Sequence, residues 1–235
     1  KLIQKVAKQT GKVFQVGTQQ RSEYGARFLH AIVIARSGRL GKKLKAISSV
    51  GNAQSGGPWP TVAIPDHLNW DMWLGQAADT PYIKERAHYQ FRWWLEYSGG
   101  QVTDWGVHHT DIAMWALGME NTGPVTIEGK GDFNTKPDCY NVARSFDTTG
   151  TFANGNEIRL TSGPNELIIE GEKGKIRVNR GSLTGKPVEE ILASDQEKQW
   201  LAEETEKLYG GKPTPHMVNF FSCVKSRSLP VSDVF

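Results

Sequence analysis

The apolar positions of this chain begin with a helical period and end with a strand-like one. Leu2, Ile3 and Val6 share one helix face, which Thr10-Gly11 ends, and Val13-Phe14-Gln15-Val16-Gly17 reads as a short buried strand. A second helix is predicted over 24–37, with Phe28, Ile32 and Ala35 inward, followed by the turn Ser37-Gly38-Arg39-Leu40-Gly41 and a strand over 44–50. From Val125 onward the period shortens, predicting strands over 125–129, 143–152, 157–161, 166–170 and 175–179, with Asn154-Gly155 and Lys173-Gly174 as hairpin turns. A charged surface helix over 195–209 and an amphipathic helix from Pro215 to Ser226 close the pattern. Hairpin-linked strands preceded and followed by helices predict an α+β fold. The opening helix and strand resemble the end of a βαβ unit, a remnant of a parallel-sheet domain over 1–21, ahead of a main domain over 22–235.

Residues 51–98 follow no clear period, yet they hold Trp59, Trp70, Trp73, Trp93 and Trp94, five of the eight tryptophans. A segment this long inside a compact domain is functional or tied down by its own packing. The net charge of +3 is small and the basic residues are scattered, so nucleic acid is not an expected partner. No run approaches the length of a membrane span. Cys139 and Cys223 are too few for a disulfide scaffold and leave the compartment undecided. The chain opens directly on a helical pattern at Lys1, which suggests a piece of a longer protein.

The chemistry concentrates in Asp104-Trp-Gly-Val-His108-His109-Thr-Asp111. At 100° per residue Asp104, His108 and Asp111 fall within roughly 60° of one another on a helix. A carboxylate one turn before an imidazole can fix its tautomer and raise its basicity, as an acid/base group needs. The plainer alternative is a polar helix start, where an Asp also gains from the helix dipole. The stripe could also hold a divalent ion, but no further ligand cluster accompanies it and no metal is expected. His109 points off the stripe.

The order of these features resembles the Gfo/Idh/MocA oxidoreductases, the family of glucose–fructose oxidoreductase and inositol dehydrogenase. The matching text is Val16-Gly-Thr-Gln-Gln-Arg21, Ser37-Gly-Arg-Leu-Gly41, Trp70-Asp-Met-Trp73-Leu-Gly75, Gly99-Gly100-Gln-Val-Thr-Asp104 and His108-His-Thr-Asp111-Ile-Ala-Met-Trp115, then Gly171-Glu-Lys-Gly174-Lys-Ile and the helix from Asn219 to Arg227. The resemblance implies a C-terminal domain with a large open sheet carrying helices on one face, and oligomerisation through that sheet. It also implies a Rossmann domain binding NAD or NADP. The nearest glycine fingerprint, Gly129-Lys-Gly131-Asp-Phe-Asn134, lacks its third glycine and a following helix, and the family's Glu-Lys-Pro lysine segment does not occur.

By resemblance, His108 is the acid/base, Asp104 supports it, and Asp111 bonds a sugar hydroxyl. Gln20 and Arg21 are candidate substrate contacts and Gln19 a candidate cofactor contact, since amides and a guanidinium suit hydroxyls or the nicotinamide amide. Trp73 is a candidate sugar-stacking ring, and Arg92 beside Trp93 a candidate hydroxyl or carboxylate contact. The implied activity is sugar or polyol oxidoreduction. An NAD-dependent glycoside hydrolase working by transient oxidation, and a non-catalytic assembly module, stay open as alternatives. With neither phosphate cradle nor lysine segment in its text, residues 1–235 are expected to show no dehydrogenase activity and no NAD binding at millimolar concentration by calorimetry. A clear titration there overturns this.

Overall fold

A computed structural model describes residues 1–235. Seven strands form one sheet: β1 (Leu44–Val50), β2 (Thr126–Phe133), β3 (Ala143–Thr151), β4 (Glu157–Ser162), β5 (Glu166–Gly171), β6 (Gly174–Val178) and β7 (Leu183–Thr184). Their order is β2-β3-β4-β1-β5-β6-β7. Every pairing is antiparallel except that of β1 with β4, because β1 enters from an earlier part of the chain between two hairpins. The seven helices are α1 (Leu2–Thr10), α2 (Arg27–Arg36), α3 (Trp70–Leu74), α4 (Trp105–Ala116), α5 (Lys186–Leu192), α6 (Asp195–Tyr209) and α7 (His216–Ser226).

The core lies where α2 and α4 meet the sheet. Phe28, Leu29, Ile32 and Ile34 of α2 are fully buried together with Ile112 and Ala113 of α4 and Leu167, Ile169 and Ile176 of the strands. Phe28 and Ile34 point in different directions around α2, and both are buried because α4, α6 and β6 each pack on that helix. On β1, β5 and β6 the alternation puts Ala46, Leu167, Ile169 and Ile176 against the helices. On the other face, Lys45 pairs with Glu157 and Arg159 with Asp147. The α+β reading and the helices on one face of a mostly antiparallel sheet therefore hold.

Three local expectations change. The segment 13–17 is not a strand, because no strand lies beside it. Val16 instead gives its N–H to Ser232 O and its carbonyl to the ring of His216. The second helix starts at Arg27 rather than Tyr24, since Tyr24, Gly25 and Ala26 all have φ near +60°. The first strand of the sheet's second half runs to Phe133, and β7 and α5, the latter with Pro at its start, carried too short a pattern to be anticipated.

The segment without a period packs on itself. Trp70 stacks on Trp73 at 4.7 Å between ring centres, Tyr82 and Tyr97 meet the pair edge-on, and Arg86 lies 3.9 Å over Trp94. It delivers the chain to Gly99-Gly100, immediately before α4. Gly100 has φ +59°, and a Cβ there would sit 2.7 Å from Val142 Cγ2. Gly100→Ala is expected to destabilise the fold by about 1–3 kcal/mol, from backbone strain plus overlap. Chemical denaturation checks this, and an unchanged midpoint refutes it.

Candidate active site

Helix α4 carries the acid–imidazole–acid stripe, but each acid is held by its own arginine. Asp104 immediately precedes the helix and does not cap it. Its carboxylate pairs with Arg92, whose guanidinium lies 3.7 Å over the Tyr89 ring and gives a hydrogen bond to Tyr89 O. Asp111 accepts two bonds from Arg21, at 2.6 and 2.8 Å. Arg21 also bonds Val231 O and stands 4.7 Å over Trp115. Paired, planar Arg–carboxylate geometry of this kind is strong and directional.

Asp104 pairs with Arg92 and Asp111 with Arg21, and neither makes a hydrogen bond to His108; the charge of Asp104 raises the His108 pKa, as expected, but is outweighed. Burial lowers the His108 pKa below 6.5, and the guanidinium of Arg180 adds to this. Together they outweigh the attraction of Asp104 and Asp111. His108 is half-buried beside the Trp105 ring, and its Nδ1 is buried without a hydrogen-bond partner.

His109 is 1% exposed. Its Nε2 lies 2.5 Å from Asn165 Oδ1 and its Nδ1 3.4 Å from Gln20 Nε2. Nε2–H donating to Asn165 while Nδ1 accepts from Gln20 suits the neutral ring. Burial pushes its pKa down to about 4, against the raising effect of the Asn165 bond. Gln20 is fully buried, and its amide nitrogen also bonds His108 O at 3.1 Å. It therefore pins α4 from a fully buried position, with its amide oxygen left without a partner. Gln19, its neighbour, is partly exposed, and its carbonyl accepts from Ser22 and Glu23.

A cavity of about 510 Å³ lies along the adjacent face of α4, lined by Thr103, Val107, Thr110, Asp111 and Met114, with Arg21 across from them. Asp111 and Arg21 thus share one hollow, whereas His108 and Asp104 do not line it. Trp73 belongs to the aromatic cluster formed with Trp70 and Tyr97. A larger depression of about 610 Å³, at the ends of β1, β5 and β6 around Lys43, Glu170 and Lys175, contains none of these residues. No three His, Cys, Asp or Glu side chains come together as metal ligands. Gly129 and Gly131 sit inside β2, paired with Thr148 and Phe146, and cradle nothing.

Sequence reasoning missed Arg180. It lies in the turn between β6 and β7, where Asn179 Oδ1 accepts from the N–H groups of Gly181 and Ser182. Its guanidinium stands 4.1 Å over Trp105 and 4.8 Å over Tyr24, and it acts on the titration of both histidines. No spacing pattern links a turn arginine to a helix so far upstream; only the sheet order brings them together.

Residues 52–229 match the model of an oxidoreductase family, C-terminal alpha/beta domain, of the Gfo/Idh/MocA type. No curated protein sequence matches the chain. Among solved structures, aldose-aldose oxidoreductase from Caulobacter crescentus, complexed with glycerol, aligns at TM-score 0.59 and 15% identity, over 96% of this chain and 58% of that one. WlbA dehydrogenase from Bordetella pertussis, in complex with NADH and UDP-GlcNAcA, aligns at TM-score 0.59 and 14% identity, over 97% and 58%. A myo-inositol dehydrogenase homologue from Sinorhizobium meliloti aligns at 0.54 and 14%, over 98% and 60%. The chain thus spans about three-fifths of the length of these structures, and the likeness is one of fold.

The buried neutral ring of His109 generates a pH dependence. With a folded pKa of about 4 against 6.5 when unfolded, the folded state binds fewer protons, so its stability falls as pH drops from 6.5 toward 4. The shift corresponds to about 3 kcal/mol across that window. Denaturant unfolding at several pH values should show this slope, and His109→Gln should flatten it; a wild-type stability independent of pH there refutes the assignment.

Proposed function

Because the chain belongs to the Gfo/Idh/MocA oxidoreductase family, we propose that it is the substrate-binding part of an NAD(P)-dependent enzyme acting on a secondary alcohol of a sugar or polyol. His108 moves the hydroxyl proton. The observation that carries this reading is a half-buried imidazole, flanked by two acids already held by arginines, whose pKa lies below 6.5. Such a ring is unprotonated at neutral pH and able to accept a proton. A carboxylate held by an arginine keeps its orientation, so Asp104 can accept a bond from a substrate hydroxyl.

Arg92 presents Asp104, and the Tyr89 ring holds Arg92 in place. Asp111, paired with Arg21, lines the adjacent 510 Å³ cavity, where its carboxylate is the candidate acceptor for a hydroxyl that extends beyond the His108 face. The relatives solved with NADH or a nucleotide-sugar acid support a dinucleotide cofactor and a sugar substrate for the family. The residues of this chain brought together at the site do not form a pyrophosphate cradle. In the full-length enzyme, His108→Ala should cut kcat/KM by about 10²–10⁴ and abolish an acid limb with apparent pKa below 6.5. Steady-state pH profiles check this; a loss under tenfold, or an unaltered limb, refutes the role.

A further inference from the structure

Arg180 is the one cation that acts on the His108 ring, and it has no acid of its own. The other two guanidiniums near the stripe, Arg92 and Arg21, are each spent on a carboxylate. Arg180 instead lies flat over two rings, and its Nε is buried without a hydrogen-bond partner. Its surroundings fix it from three sides. Trp105 is the first residue of α4 and also contacts both histidine rings. Tyr24 holds its ring there from a backbone with φ +62°, with Arg27 bonding its carbonyl at 2.5 Å. The Asn179-centred turn sets the backbone on either side of the arginine.

Stacking immobilises the guanidinium, and with Nε buried it is the terminal pair of nitrogens, engaged in no hydrogen bond, that can meet a ligand. A planar fork held this way matches the two oxygens of a carboxylate, and a half-buried cation without a counter-ion favours any ligand that brings one. We propose that Arg180 is a specificity-determining residue that binds the carboxylate of an acidic sugar, so that the site takes a uronic or aldonic acid in preference to a neutral sugar. The proposal rests on the reading of the His108 face as a sugar site, and adds to it the charge of the sugar. Tyr24 and Trp105 act as positioning residues for Arg180.

The test is a binding measurement, independent of turnover. The 235-residue chain is titrated by calorimetry with glucuronate, glucose and inorganic phosphate, while the histidine ring signals are followed by NMR. Glucuronate is expected to bind at least tenfold more tightly than glucose and to raise the pKa of His108, as its charge offsets that of Arg180. Arg180→Gln should abolish the preference with the thermal midpoint retained, and Arg180→Lys should keep part of it. His108→Ala should leave the preference intact. Equal binding of the two sugars overturns the proposal, as does no detectable glucuronate binding or a preference that survives in Arg180→Gln. Phosphate binding as tightly as glucuronate at Arg180 also overturns it, marking a general anion site. Loss of turnover in His108→Ala bears on the catalytic reading alone, so the two can fail separately.

Discussion

A neutral imidazole sealed inside the protein fixes the geometry of everything around α4. His109 sits between Phe28 and Trp105 and bonds Asn165 on one side and Gln20 on the other. Those contacts join the turn at 19–21, helix α4 and the approach to β5. Each bond uses the one tautomer the pocket accepts, so the ring sets both the rotation of the helix and its depth against the sheet. The preceding residue, His108, is consequently held at the surface of the core, where it is half-buried.

Around that ring the charges are divided rather than pooled. Two acids lie close enough to favour a protonated His108, yet each is tied to an arginine, and burial together with Arg180 prevails. The fold thereby separates two roles that one carboxylate often combines, orienting a ligand and setting a proton affinity. Asp111 and Arg21 line the cavity, whereas Asp104, Arg92 and His108 do not.

Much of the fold was legible because its signals were local. The hairpins at Asn154-Gly155 and Lys173-Gly174, the strand at 44–50 and the helix at 195–209 each carry their own turn or period. The segment 13–17 misled because an apolar run has no memory of whether a neighbour exists. Tyr24 misled because a helical pattern does not reveal three left-handed residues at its start. At the site, the stripe of Asp104, His108 and Asp111 could be read from helical spacing, whereas its arginine partners could not. Arg92 is near in sequence, but Arg21 and Arg180 come from distant segments and are placed by the sheet and the C-terminal turn. Charge balance at a site is a tertiary property, and the direction of the His108 shift follows from it.

The bonds from Val16 and Arg21 to Ser232 and Val231 span almost the entire chain. Asp111 lies 90 residues from Arg21 in sequence and Val231 lies 210, so the ion pair closes a shorter loop than the backbone bond that backs it. The hairpins close over a few residues each, whereas the wall that carries Arg21 depends on segments at opposite ends of the described residues. Loosening either segment would therefore disturb the Arg21–Asp111 pair while leaving the sheet and its hairpins in place.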